Sequence, residues 1–120
     1  MTTQEIVDRL IALVKEGKNV QAEEELYAQD VVSFEQNGYS TSGLEATIEK
    51  TKAAFANVEE MFGGGITQAY VGASSFLLVF EMDMKPKGGE RMQAKEYGFY
   101  KVKDGKIAEE YFFAEPLALS

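Results

Sequence analysis

Carboxylates and tyrosines are the side chains through which this chain could do chemistry. It has no cysteine and no histidine, which removes thiolate nucleophiles, thiolate metal sites, disulfides, Ser-His-Asp triads and imidazole acid–base catalysis together. Among the acids, Glu35 stands apart. It falls in the short run Val31 to Gln36, read as a strand, where folding does not need an acid. A carboxyl in a partly dry pocket gains proton affinity from desolvation and can exchange protons near neutrality. The alternative is a solvated strand residue, because Val32 and Phe34 form the apolar set and Glu35 shares its parity with Ser33.

The second group lies near the C-terminus. Glu96, Tyr97, Phe99 and Tyr100 face Glu109, Glu110, Tyr111, Phe112 and Phe113 across a hairpin predicted at Asp104-Gly105. A two-residue turn there sets Glu96 opposite Phe113, Tyr97 opposite Phe112 and Gly98 opposite Tyr111. A three-residue loop with a bulge moves every partner by one. An acid beside aromatic rings can hold the polar group of an otherwise apolar ligand, but cross-strand aromatic pairs also serve simply to hold a sheet together. Gly98 leaves room for a neighbour or a ligand. Met82, Met84 and Met92 suit an adaptable apolar wall or core filler.

Other clusters are read as structural. Glu23-Glu24-Glu25 and Glu59-Glu60 are solvated helix faces. Glu81-x-Asp83 lacks the ring of oxygens a hard cation requires. Gly63-Gly64-Gly65 lacks the Lys-Ser/Thr of a phosphate loop and is read as a connector. No metal and no cofactor is expected.

The elements that must position these residues change character along the chain. Thr2-x-x-Glu5 has capping-box form, and Ile6, Leu10, Leu13 and Val14 follow at helical spacing. Gly17 ends that helix and Asn19 caps a second one running to about Tyr27. After the strand, Asn37-Gly38 signals a turn. Ser42-x-x-Glu45 opens a longer helix whose apolar face is Leu44, Ile48, Phe55, Val58 and Phe62. Beyond the glycines the period falls to two, with strands expected near Ile66 to Gly72, Ser75 to Lys85, Glu90 to Lys103 and Lys106 to Glu115. Phe76, Leu78, Phe80, Met82 and Met84 share one face of the second of these strands. Helices followed by an antiparallel meander make an α+β layout.

At 120 residues the chain fits one domain, 1–120, and its formal charge of −8 argues against nucleic acid and against anionic membrane surfaces. Glu5, Asp8 and Arg9 leave no apolar signal segment, so a cytoplasmic location is expected.

The segment YAQDVVSFEQNGYSTSG (Tyr27 to Gly43), with VKDGKIAEEYFF near the end, resembles the nuclear-transport-factor-2-like superfamily and, within it, the SnoaL-like group that includes polyketide cyclases. The resemblance spans nearly the whole chain. It implies a cone-shaped domain, three helices against a strongly curved mixed or antiparallel sheet enclosing a cavity, in members that often pair as homodimers through the sheet. Laid on the ketosteroid isomerase pattern of that superfamily, the general base falls at Glu35, the acidic oxyanion donor at or beside Tyr97, and the tyrosine donor on Leu10, which can donate nothing. The expected function is a cavity for a compact apolar or amphipathic molecule bearing a carbonyl or hydroxyl, with Glu35 as proton acceptor, Tyr97 as hydrogen-bond donor, and Phe34, Phe55, Phe80, Met82, Glu96, Tyr111 and Phe113 as ligand contacts, in an isomerase, cyclase or dehydratase reaction. A non-catalytic binder and a protein-interaction module of the same fold are the alternatives.

Overall fold

The capping box forms as the sequence predicts. Thr2 Oγ1 accepts from the Glu5 amide while the Thr2 amide donates to the Glu5 carboxylate, closing the first turn of α1 (Thr3–Lys15). Ile6, Val7, Leu10 and Leu13 form its buried face. Gly17, at φ +76°, ends the helix and lets the chain turn back. In α2 (Asn19–Leu26) the cap position belongs to Lys18, and Asn19 is the first helical residue. These helices come from a computed structural model describing residues 1–114.

Strand β1 (Tyr27–Phe34) starts directly at the end of α2, earlier than the predicted Val31, and Glu35 lies just past its end rather than inside it. The reason is a partner distant in sequence: Tyr27 pairs with Ile107, and after a bulge Val32 to Phe34 pair with Glu109 to Tyr111, in parallel. Past β1 the Glu35 amide donates to the Tyr39 carbonyl at 2.8 Å around the Asn37-Gly38 turn. The chain returns as a short strand, β2 (Ser40–Ser42), which pairs antiparallel with β1. Ser42 is therefore a strand residue. The N-cap of α3 (Leu44–Ala56) is Gly43, at φ +95°, with no side-chain cap.

Helix α3 stops at Asn57, so Val58 and Phe62, predicted on its apolar face, belong instead to β3 (Val58–Val71). Pairing of Val58 to Gly65 with Glu81 to Pro86 of β4 (Ser75–Pro86) overrides the local helical period. Gly63-Gly64-Gly65 is consequently the middle of a strand and not a connector. At Gly64, φ is +123° and a Cβ would stand 2.2 Å from the Glu81 carbonyl oxygen, so only glycine fits.

Strands β5 (Met92–Lys103) and β6 (Lys106–Ala114) follow; the last predicted strand residue, Glu115, lies outside the described residues. The six strands run β2-β1-β6-β5-β4-β3. Asp104-Gly105 is a two-residue turn with both φ positive and Lys103 opposite Lys106. A bulge at Lys101/Val102 then moves the pairing by one, giving Glu96 opposite Ala114, Tyr97 opposite Phe113, Gly98 opposite Phe112 and Phe99 opposite Tyr111.

That register decides which side each residue faces. Ser33, Glu110, Tyr100 and Phe76 stand side by side on four neighbouring strands, and so do Ala114, Glu96 and Phe80. This inner face packs Phe76, Leu78, Tyr100 and Ile107 against the buried faces of the helices. A Cβ at Gly98 would meet the Tyr100 ring and Phe80, so its missing side chain accommodates neighbours. On the outer face a second row runs Phe34, Tyr111, Phe99, Leu77, Tyr70 across five strands.

Candidate functional site

Thr47, Lys50 and Thr51 lie three and four residues apart on α3, on the side turned to the sheet and α2. Lys50 Nζ stands 2.8 Å from Glu35 Oε1 and 2.5 Å from Ser33 Oγ. Ser33 Oγ donates to Glu110 Oε2 at 2.6 Å, a bond between cross-strand neighbours. Tyr27 donates its hydroxyl proton to Glu110 Oε1 at 2.5 Å. Glu110 is only 1% exposed. Next to this chain Thr51 donates to Glu23 Oε2 at 2.6 Å, while Glu23 Oε1 is buried with no hydrogen-bond partner among the described residues.

Burial governs the protonation of three acids in this region, Glu23, Glu110 and the nearby Glu96. Burial pushes Glu23 up to about 7, with Thr51 opposing and the charge of Glu110 adding. Burial also raises Glu110, against the hydrogen bonds from Ser33 and Tyr27 and the charge of Lys50. Glu96 is raised by burial first and then by the nearby charge of Glu35. Tyr27 and Tyr100, buried beside these acids, are held well above the ordinary phenol range.

A cavity of about 400 Å³ opens against Glu35, Gln36, Asn37, Glu96, Phe112 and Ala114. The Glu35 side chain is 37% exposed there and ion-paired with Lys50, and the Lys50 ammonium lies 5.5 Å from the centre of the Phe112 ring. The Glu96 side chain makes no hydrogen bond or ion pair among the described residues, and only burial and the charges of Glu35, Lys50 and Glu110 act on it. Of the residues singled out from sequence, Glu35 and Glu96 are brought together here. Phe55, Phe80 and Met82 line a separate groove of about 710 Å³ with Val14, Phe62 and Gly63 to Gly65. Strand alternation sends Tyr97 to the opposite face from Glu96, its ring 5.9 Å from Lys95 Nζ. Phe34 and Tyr111 stack on each other on that same outer face, ring centres 4.6 Å apart, with Phe113 beside them. Leu10 is 4% exposed, a core residue.

Lys50, Ser33, Tyr27, Glu110 and Glu23 were not picked out from sequence as site residues. Glu23 sits in an acidic run read as solvated but is only 7% exposed. Glu110 shares the parity of Phe112, which in the correct register faces inward; that parity was the one available signal. Among the described residues no three acids are grouped as for a metal ion.

Three helices packed on a six-stranded mixed sheet, with a cavity lined by Glu35 and Glu96, define the nuclear-transport-factor-2-like α+β class. Within it, this chain belongs to the SnoaL-like domain family, whose sequence profile matches residues 1–114. A Mesorhizobium loti protein assigned as a SnoaL-like polyketide cyclase is 38% identical, with a TM-score of 0.86 over 94% of this chain and 99% of that one. A SnoaL-like polyketide cyclase assignment from Jannaschia sp. CCS1 is 15% identical, with a TM-score of 0.82 over 97% of this chain and 87% of that one. A Catenulispora acidiphila protein of ketosteroid isomerase-like fold, crystallised with trimethylamine, is 21% identical, with a TM-score of 0.75 over 98% of this chain and 89% of that one. At these lower identities the likeness is one of fold. No curated protein matches the chain significantly.

Proposed function

We propose that this protein binds a compact apolar molecule carrying a carbonyl or hydroxyl in the cavity between Glu35 and Glu96, and moves a proton on it in an isomerase, cyclase or dehydratase reaction. The observation that carries this reading is the contrast between two carboxyls lining one cavity. Glu35 is held by the Lys50 ammonium, which suits a proton acceptor. Glu96 lacks a partner among the described residues, and burial and the charge of Glu35 both favour its protonated form. An ion-paired carboxyl at the cavity rim and a more buried one across from it are read here as base and acid. Glu35 takes the proton next to the substrate carbonyl, the electron pair moves onto the carbonyl oxygen, and the Glu96 hydroxyl donates a hydrogen bond to it. One such donor contributes roughly 10²- to 10³-fold in rate. Glu96 takes the donor role first read into Tyr97, because it faces the cavity.

The test is a thermal-shift screen with hydrophobic ketones, quinones and fatty acids, followed by deuterium exchange at the carbon next to the carbonyl of any ketone that binds. The wild type should accelerate exchange. Glu35→Gln should bind the same ketone and lose the acceleration, and Glu96→Gln should reduce it. A ligand that binds while Glu35→Gln exchanges at the wild-type rate would leave a binder without proton chemistry; no binding at all would remove the cavity reading. The same proposal pairs two copies through the aromatic row on the outer sheet face.

A further inference from the structure

A proton taken up by Glu35 has a hydrogen-bonded route inward. Lys50 bridges Glu35 and Ser33, at 2.8 and 2.5 Å, and Ser33 bridges Lys50 and Glu110, the latter at 2.6 Å. The line runs from the cavity wall to a carboxyl that is buried in the sheet and takes no part in lining the cavity. We propose that Lys50 and Ser33 pass a proton between Glu35 and Glu110, so that Glu110 stores the substrate's proton out of contact with water while the reaction proceeds. The inference rests on the proton-acceptor role given to Glu35 above.

The transfer balances without any further reactant. One N–H proton of the Lys50 ammonium moves to the Ser33 oxygen as the Ser33 hydroxyl proton moves to Glu110 Oε2. The Lys50 nitrogen takes the proton from Glu35. Lys50 and Ser33 end as they began, Glu35 is a carboxylate again, and Glu110 is a neutral acid. Both Glu110 oxygens accept O–H bonds, from Tyr27 and Ser33, which is the arrangement of a carboxylate ready to receive. Once protonated, it removes a negative charge from the core, which burial favours. The charged and titratable groups around it are Tyr27 on β1, Tyr100 and Glu96 on β5, Glu23 on α2, Lys50 on α3 and Glu35 beyond β1; Lys50 alone among them is cationic. Glu110 and Ser33 are positioning residues in this scheme, since neither touches the cavity. A stored proton serves a reaction that removes a proton from carbon before it delivers one to oxygen, as in dehydration or cyclisation.

The experiment uses the protein without ligand. After a rapid pH drop, time-resolved infrared spectroscopy follows the carbonyl stretch of the protonated Glu110 carboxyl, assigned by its loss in Glu110→Gln. Should that variant not fold, Tyr27→Phe assigns the band by shifting it through loss of one hydrogen bond. In Ser33→Ala and in Glu35→Gln the band should appear roughly 10²-fold more slowly, the lower end of what a positioned proton carrier contributes, and reach its wild-type amplitude. Ser33→Thr, which keeps the hydroxyl, should restore the rate. An unchanged rate in Ser33→Ala or Glu35→Gln, a slow rate that Ser33→Thr does not restore, or no Glu110 band would each overturn the relay. Because no substrate is involved, the relay can fail while the deuterium-exchange result stands, and the reverse.

Discussion

Glu23 shows what a single side chain can carry unnoticed in a run of three acids. Its Oε2 accepts from Thr51 while its Oε1 is buried with no partner among the described residues, so the charged form is poorly solvated and the proton is held up to about 7 against an ordinary 4.5. Because the folded state binds this proton more tightly than the unfolded one, the stabilisation is full below about 4.5 and is lost as pH rises towards about 7. Glu23→Gln keeps the acceptor for Thr51 and cannot ionise. Urea midpoints of the two proteins should coincide at acid pH and separate in favour of Glu23→Gln at alkaline pH; a gap that does not vary with pH would contradict this. Glu35 was legible from sequence as an acid without a folding role, and it does line a cavity. Its partner Lys50 was not legible, because a lysine on a helix gives no local sign of which face is covered.

At the scale of elements, the departures from expectation share one cause: strand pairing overruled local pattern. The helix predicted through Phe62 ends at Ala56 because the next residues complete a ladder with β4. The three glycines inside that ladder make a sharp contrast. Gly64 combines φ +123° with a Cβ position on top of the Glu81 carbonyl, whereas Gly63 has an ordinary φ and no atom within 4 Å of its would-be Cβ. Gly64→Ala should therefore destabilise by about 2 kcal/mol or more, the combined effect of strain and clash. Gly63→Ala should be neutral or stabilising by up to about 1 kcal/mol, since alanine gives up less freedom on folding. Chemical denaturation of both variants checks the ordering, and equal losses would refute this account of the strand. The bulge at Lys101/Val102 has more functional weight, for it places Glu110 beside Tyr100 and Glu96 beside Ala114. The turn type at Asp104-Gly105 was readable; the bulge was not, because nothing in Lys101-Val102 marks it locally.

Across the whole molecule the sheet divides the chemistry into two sides. The inner side holds the apolar core and the polar chain ending at Glu35; the outer side presents the row from Phe34 to Tyr70 and, beside it, Phe113, with Tyr70 57% and Phe113 44% exposed. An aromatic surface of this extent on one face fits association between copies. Sedimentation at two concentrations should show a dimer, and Phe113→Lys should shift it towards monomer; a wild-type monomer at high concentration removes the proposal. Alternation, capping and turn chemistry are local, so the sequence by itself determined the α+β order, the capping box, the meander and the shared face of Phe76, Leu78 and Phe80 on β4. It also marked Glu35 and Glu96 as acids beside apolar neighbours. Only the tertiary structure decided that β1 runs parallel to β6, that α3 delivers Lys50 to Ser33 and Glu35, and that Glu110 and Glu23 are buried. Those facts depend on register and on contacts between residues far apart in the chain, and a shift of one residue would turn every side chain of a strand to the other face.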